Sequence, residues 1–179
     1  YSAGRESHEF QSQQEIDLFL DRRLNLLRAL DLLLPQLEDQ TCIAEILEGL
    51  MLCAEVPHLT HKALVLSCCR HLSRLDLKQV AAIEQFVLAN IQQHPELLEE
   101  CIATWGFCVQ KYLEFAFCEV LDEKVNSESY VGPVVKFFDY CVDRTDSVEW
   151  LQSFWKSCGD KVFKFRLTQR VLAKWVANG

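Results

Sequence analysis

The stretch that most constrains the fold runs from residue 95 to residue 121, PELLEECIATWGFCVQKYLEFAFCEVL. Its apolar residues recur at steps of three and four, which is typical of one face of a helix about seven turns long. This face contains Leu98, Cys101, Ile102, Trp105, Val109, Tyr112, Phe115 or Ala116, and Val120. Burying it, at about 25 cal/mol per Å², requires other helices on more than one side. The segment is therefore predicted to be the central helix of the fold, with Pro95 at its start.

The same periodicity predicts seven more helices, so the expected fold class is all-α with about eight helices stacked as antiparallel pairs. Pro35 and Pro57 end the first two, because the residue before proline avoids the helical conformation. Ser12 with Glu15, and Asp76 with Gln79, have the spacing of capping boxes. The additional helices are expected at about residues 13–34, 40–55, 60–75, 76–92, 133–142, 146–158 and 160–177.

The domain organisation follows from the polar stretches. Residues 1–12 are polar and aperiodic and are predicted to form a flexible arm, and residues 13–179 to form a single α-helical domain. The polar stretch 122–130 is followed by Gly132 and Pro133, so a loop and a sub-boundary are expected at 122–132. The first residue is Tyr1 and the only methionine is Met51, which favours a piece excised from a longer protein.

A shift of 38 residues aligns parts of the chain with each other. It places Pro57 on Pro95, Leu50 on Leu88, Cys53 on Ile91, Leu59 on Leu97 and Leu64 on Ile102. Over about residues 40–115 this spacing resembles that of HEAT and armadillo-type repeats, in which stacked helix pairs build one continuous core. The resemblance implies a short HEAT-like solenoid, and an irregular helical bundle is the alternative.

Charge is unevenly distributed along the chain. The net charge is −8, but residues 156–179 carry +5, which leaves −13 on residues 1–155. Arg166, Arg170 and Lys174 are four residues apart and lie on one face of the last predicted helix. This basic face could bind an acidic protein segment or a nucleic-acid backbone, or could be an ordinary solvated flank. Residues 163–167 alternate apolar and basic, so a strand is an alternative there.

The nine cysteines lie mostly at apolar positions of helical patterns, which favours reduced thiols in the cytoplasm or the nucleus over a disulfide framework. No secretory signal peptide is visible. Charged and polar residues interrupt every long apolar run, such as residues 24–34, so a membrane span is not expected.

No catalytic motif is present, and no catalytic, cofactor-binding or metal-binding residue is predicted. The cluster that most resembles a metal site contains His58, His61, Cys68, Cys69 and His71. Adjacent cysteines on a helix point about 100° apart, so they would serve one zinc ion poorly. Cys42 lies near a predicted helix start, but no histidine is close to it in sequence, which gives little support for a thiol nucleophile.

The sequence therefore favours a non-catalytic protein-interaction scaffold of a larger intracellular protein, binding a partner segment in a helical groove. The partner would be an acidic or amphipathic helical segment, or the rest of the parent chain. A nucleic-acid-associated helical domain is the alternative. The candidate partner-binding residues are aromatic and basic, with ordinary core packing as the alternative for the aromatic ones. They are Phe137, Phe138, Trp150, Trp155, Arg166, Arg170, Lys174 and Trp175.

Overall fold

The computed structural model describes residues 3–39, 41–122, 128–143, 173, 176 and 177. This part of the chain is all-helical and contains no strand, which confirms the all-α part of the predicted fold class. The predicted helices beyond residue 143 and the strand alternative at 163–167 lie outside the described residues. Six α-helices are described: α1 (Ala3–Leu33), α2 (Ile43–Ala54), α3 (Leu59–Arg70), α4 (Leu77–Gln93), α5 (Leu98–Asp122) and α6 (Glu128–Asp143).

The chain divides into two compact units, Tyr1–Arg74 and Leu75–Gly179. The first unit contains α1 to α3, and the second contains α4 to α6. The single domain expected for residues 13–179 stays a prediction.

In the first unit, α3 packs against both α1 and α2. Four residues around Pro57 join α2 to α3, and so short a connection between contacting helices makes them antiparallel. The core of this unit is aliphatic and includes Leu27, Leu34, Leu47, Leu50, Val65 and Leu66.

Helix α1 starts earlier than the sequence predicted. It begins at Ala3, so most of residues 1–12, the expected flexible arm, continue the helix. Alanine, arginine, glutamate and glutamine in this stretch are good helix formers, and no proline interrupts them. Ser12 therefore lies inside the helix, and the Ser12–Glu15 capping box predicted as its start was wrong. The end is close to the prediction, because α1 stops at Leu33 and Pro35 lies in the 3₁₀ turn that follows.

The second unit is built around α5, which packs against α4 on one side and α6 on another. Helix α4 begins with the predicted capping box. The Gln79 backbone N–H donates to Asp76 Oδ1 and the Asp76 backbone N–H donates to Gln79 Oε1, both at 2.8 Å. A 3₁₀ turn, Pro95–Leu97, then leads into α5.

Trp105 lies at the centre of this unit and is 1% exposed. Its ring packs edge-on against Phe137 of α6, with ring centroids 5.2 Å apart, while its indole N–H reaches α4. Cys101, Val109 and Tyr112 are buried on the same face. The prediction that α5 is covered on more than one side is confirmed.

Helix α6 begins at Glu128, five residues before the start predicted at Pro133. Gly132 and Pro133 lie inside the helix, so the loop expected at 122–132 was wrong over residues 128–132. Pro133 removes one backbone donor, the N–H that would bond the carbonyl of Ser129, which is less costly near a helix start than in the middle. Burial of Tyr130, Val134 and Phe137 on one side of α6 offsets this loss.

The 38-residue shift aligns two similar helix pairs. In both α2–α3 and α4–α5 a short proline-containing connection joins two helices that contact each other. The lengths differ, at 12 and 12 residues in the first pair and 17 and 25 in the second.

Candidate functional site

The histidine and cysteine cluster of α3 holds this helix against α1. His61 Nε2 donates to the carbonyl oxygen of Leu20 at 3.2 Å, and Cys68 Sγ donates to that of Leu27 at 3.7 Å. These bonds link residues 41 positions apart in both cases, so α1 and α3 run parallel.

His71 completes the same contact one turn further along. Its Nε2 lies 3.2 Å from Asp31 Oδ1, close enough for an ion pair but not aligned as a hydrogen bond. Cys68 and Cys69 are fully buried. In the described part of the chain, no three histidine, cysteine or acidic side chains could hold a metal ion together. The side chains that most resemble metal ligands therefore pack α3 against α1.

A pocket of about 260 Å³ lies beside this contact in the first unit. Its walls contain two carboxylates and two imidazoles, and they are formed by Asp17, Leu20, Asp21, Leu24, His58, Thr60 and His61. His61 is 3% exposed, and its Nδ1 has no hydrogen-bond partner. Since Nε2 donates to the Leu20 carbonyl, Nδ1 of the neutral ring is an acceptor. The ring of His58 lies 5.7 Å from that of His61.

A larger pocket, of about 510 Å³, lies in the second unit. It is lined mainly by apolar and aromatic side chains, with Lys136 as its charged residue, and the remaining lining residues are Leu88, Ile91, Gln92, Pro95, Leu98, Trp105 and Tyr140. This lining pairs no nucleophile with a base, which acyl or phosphoryl transfer would need.

A buried carboxylate connects α4 to α5. Glu84 is 9% exposed, and its Oε2 accepts a 2.7 Å hydrogen bond from the Tyr112 hydroxyl. Its Oε1 accepts a 3.2 Å bond from Trp105 Nε1. Burial raises the pKa of Tyr112, and the hydrogen bond to Glu84 and the charge of Glu84 raise it further. This hydrogen-bond network has a structural role, because it joins α4 to α5 through two aromatic side chains of the core. We call it the buried clamp.

Two of the eight predicted partner-binding residues lie in the part of the chain that the structure describes. Phe137 is 0% exposed and Phe138 4%, so both are core side chains, which is the alternative that the sequence left open. The other six candidates lie outside the described residues: Trp150, Trp155, Arg166, Arg170, Lys174 and Trp175.

The largest apolar surface on one described element belongs to α1. Six of its side chains are half or more exposed: Ile16 (50%), Leu18 (51%), Phe19 (53%), Leu26 (55%), Leu32 (71%) and Leu33 (59%). Ile16 lies about three turns before the buried Leu27, on the same side of the helix. We call the other five residues the α1 apolar face. Because seven residues make almost two helical turns, Phe19, Leu26 and Leu33 form a straight row along the helix, with Leu18 and Leu32 beside it.

This face points away from the contact with α3, where the Leu27 carbonyl accepts the bond from Cys68. The Arg23 guanidinium lies 4.6 Å from the centre of the Phe19 ring and covers one side of it. The helical periodicity of this segment gives one apolar stripe, which contains Ile16, Leu20, Leu24, Leu27, Leu30 and Leu34. The apolar residues off that stripe, Leu18, Phe19, Leu26, Leu32 and Leu33, were the signal of a second face.

Of the described helices, none combines the length and the apolar composition that crossing a bilayer requires. No protein-family model matches the chain, and the searches among curated proteins and among solved structures found no significant similarity. The α1 apolar face is thus the best-supported candidate site on structural grounds.

Proposed function

We propose that this chain is a non-catalytic protein-interaction module that binds an amphipathic helix of another polypeptide along the α1 apolar face. The single observation that carries the proposal is the exposure of five large apolar side chains on one face of one helix. Side chains of this size, half exposed, leave on the order of 500 Å² of apolar surface in water, within the range of the largest patch on a typical monomer.

The shape of the face fits a helix. It extends over residues 18–33, which is about 24 Å of helix axis. A partner helix of that length would present apolar anchors spaced by three, four and seven residues to it. Covering this face removes its apolar side chains from water, which favours association.

The non-catalytic part of the proposal is supported by what the reactive side chains do in the fold. His61, Cys68 and His71 contact α1, and Glu84 holds Trp105 and Tyr112. Burial also raises the pKa of the Cys68 thiol to about 12, so it is a poor nucleophile near neutral pH.

The finer architecture is part of the same proposal. The two helix–proline–helix pairs support a HEAT-like stack that continues to about eight helices over the whole chain. A stack of this kind would serve as an assembly scaffold within a larger intracellular protein of the cytoplasm or nucleus, where unpaired thiols persist.

A selection from a library of displayed amphipathic helices, each about 20 residues long, would test the proposal. We expect enriched helices to bind the wild-type chain and to lose binding to Leu26→Glu. The matched control is Leu52→Glu, because Leu52 is a leucine of α2 with similar exposure, 52%, outside the face. Failure to enrich any helix, or equal binding to both variants, would contradict the proposal.

A further inference from the structure

We infer that the helix covering the α1 apolar face is α1 of a second copy of this chain, paired with it antiparallel about a two-fold axis at Leu26. The inference rests on the proposed function, because it names the partner of the same site. It follows from the spacing, the area and the charges of the face.

The spacing makes the face complementary to itself. Phe19 and Leu33 lie seven residues to either side of Leu26, and all three side chains are more than half exposed. When two copies pair antiparallel about Leu26, that residue meets its own equivalent, and Phe19 of each copy meets Leu33 of the other. A two-fold interface requires this kind of self-complementary row.

The area is close to what a stable dimer needs. Specific interfaces bury about 800 Å² per partner, of which the five apolar side chains of the face supply roughly 60%. Arg22, Asn25 and Ala29 are exposed between or beside them and can supply the remainder. Leu52, Leu59 and Leu37 are also at least a third exposed, but they lie outside α1 and do not extend this row.

The charges select the antiparallel direction. Arg22 lies between Phe19 and Leu26 on the exposed side of α1. In a parallel pair in register, the two Arg22 side chains would face each other, which is unfavourable at an apolar interface. In the antiparallel pair each Arg22 is opposite Leu30 of the other copy, about 12 Å along the axis from the second Arg22, a separation at which salt screens the repulsion. The long Arg22 stem can then cover apolar surface while its guanidinium stays in water.

Sedimentation velocity over a concentration series tests the inference. For wild type we expect a reversible shift from 20.7 kDa to twice that mass, with a midpoint at or below about micromolar concentration. Leu26→Glu places two carboxylates against each other and should weaken the dimer roughly 100-fold or more. Leu52→Glu should dimerise as wild type does. A monomeric wild type, or Leu26→Glu dimerising as tightly as wild type, would overturn the inference.

A charge-pair experiment tests the antiparallel direction of the pairing. It uses two variants, each measured alone and in a mixture. Phe19→Glu and Leu33→Lys should each be monomeric at concentrations where wild type is a dimer, with unchanged helical circular dichroism. An equimolar mixture should form heterodimers, because antiparallel pairing places the glutamate against the lysine. If the mixture stays monomeric, the antiparallel pairing is refuted and the inference fails.

The two proposals fail separately. If the chain stays monomeric while displayed helices still bind in a Leu26-dependent manner, the second copy is not the partner and the proposed function stands. If neither dimer nor helix binding depends on Leu26, both are wrong.

Discussion

Tyr112→Phe should destabilise the second unit by about 2 kcal/mol, because hydrogen bonds to charged groups contribute roughly 1.5–3 kcal/mol. The tyrosine is 3% exposed and donates a 2.7 Å hydrogen bond to Glu84, which is itself buried. Phenylalanine keeps the ring and its edge-on contact with Tyr130, whose centroid lies 6.5 Å away. The change therefore removes one donor and leaves Glu84 Oε2 without the bond it accepts from Tyr112, at little packing cost.

Urea unfolding of wild type and variant gives the free-energy difference if the slope with denaturant is unchanged. A double-mutant cycle with Glu84→Gln measures the part of the pair energy that depends on the carboxylate charge, because glutamine can still accept the Tyr112 hydroxyl. A cost below about 0.5 kcal/mol, the size typical of a surface substitution, would refute the buried clamp as described.

Two further predictions concern stability. Asp76→Ala removes the capping box of α4 and should cost about 1 kcal/mol in the same urea assay, whereas Asp76→Asn should retain most of the stability. Stability should also fall above pH 9, measured by thermal unfolding from pH 8 to 11. Burial raises the pKa of Cys101 from 9.0 to about 11 and those of Cys68 and Cys141 to about 12. These thiols stay protonated in the folded protein while the unfolded chain loses the proton, so each contributes a loss of up to about 1.4 kcal/mol per pH unit between the two pKa values. Unchanged stability at pH 10 would contradict the burial of these thiols.

The helices could be predicted from the sequence where the periodicity of apolar residues agrees with the residues that mark helix ends. Between residues 98 and 116 the buried positions recur at helical spacing, as at Cys101, Trp105, Cys108, Tyr112 and Ala116, and Asp76 with Gln79 forms the predicted cap. Pro133 was misleading because proline was taken as a boundary, although burial on one side of α6 keeps the helix continuous through it.

The periodicity of the sequence could not predict which side chains make contacts between helices. Glu84 falls among the apolar positions of α4, and only the polar atoms of Trp105 and Tyr112 indicate that a buried partner is needed. In the same way, the spacing of His61, Cys68 and His71 was weighed as a metal site. Its actual role depends on α1 running parallel to α3 at an offset of about 41 residues.

The candidate site was missed for a related reason. A stripe of apolar residues predicts burial, and α1 carries enough of them to supply two faces. Leu27 and Leu34 contact the first unit's core, whereas Leu26 and Leu33, each one residue before them, remain exposed. Which of two adjacent rows is buried depends on where α3 lies, and this is a property of the tertiary structure.

Hydroxyl-radical footprinting with mass spectrometry, over a range of protein concentrations, tests most directly whether the α1 apolar face binds a second copy of the chain. Leu52 is the internal reference because its exposure matches that of Leu26. We predict that in dilute protein Phe19, Leu26 and Leu33 are modified at rates expected for half-exposed side chains. As the concentration rises, these three should become protected while Leu52 does not. Protection of the three at every dilution would mean that the chain itself buries the face, and unchanged modification at every concentration would mean that no second copy covers it.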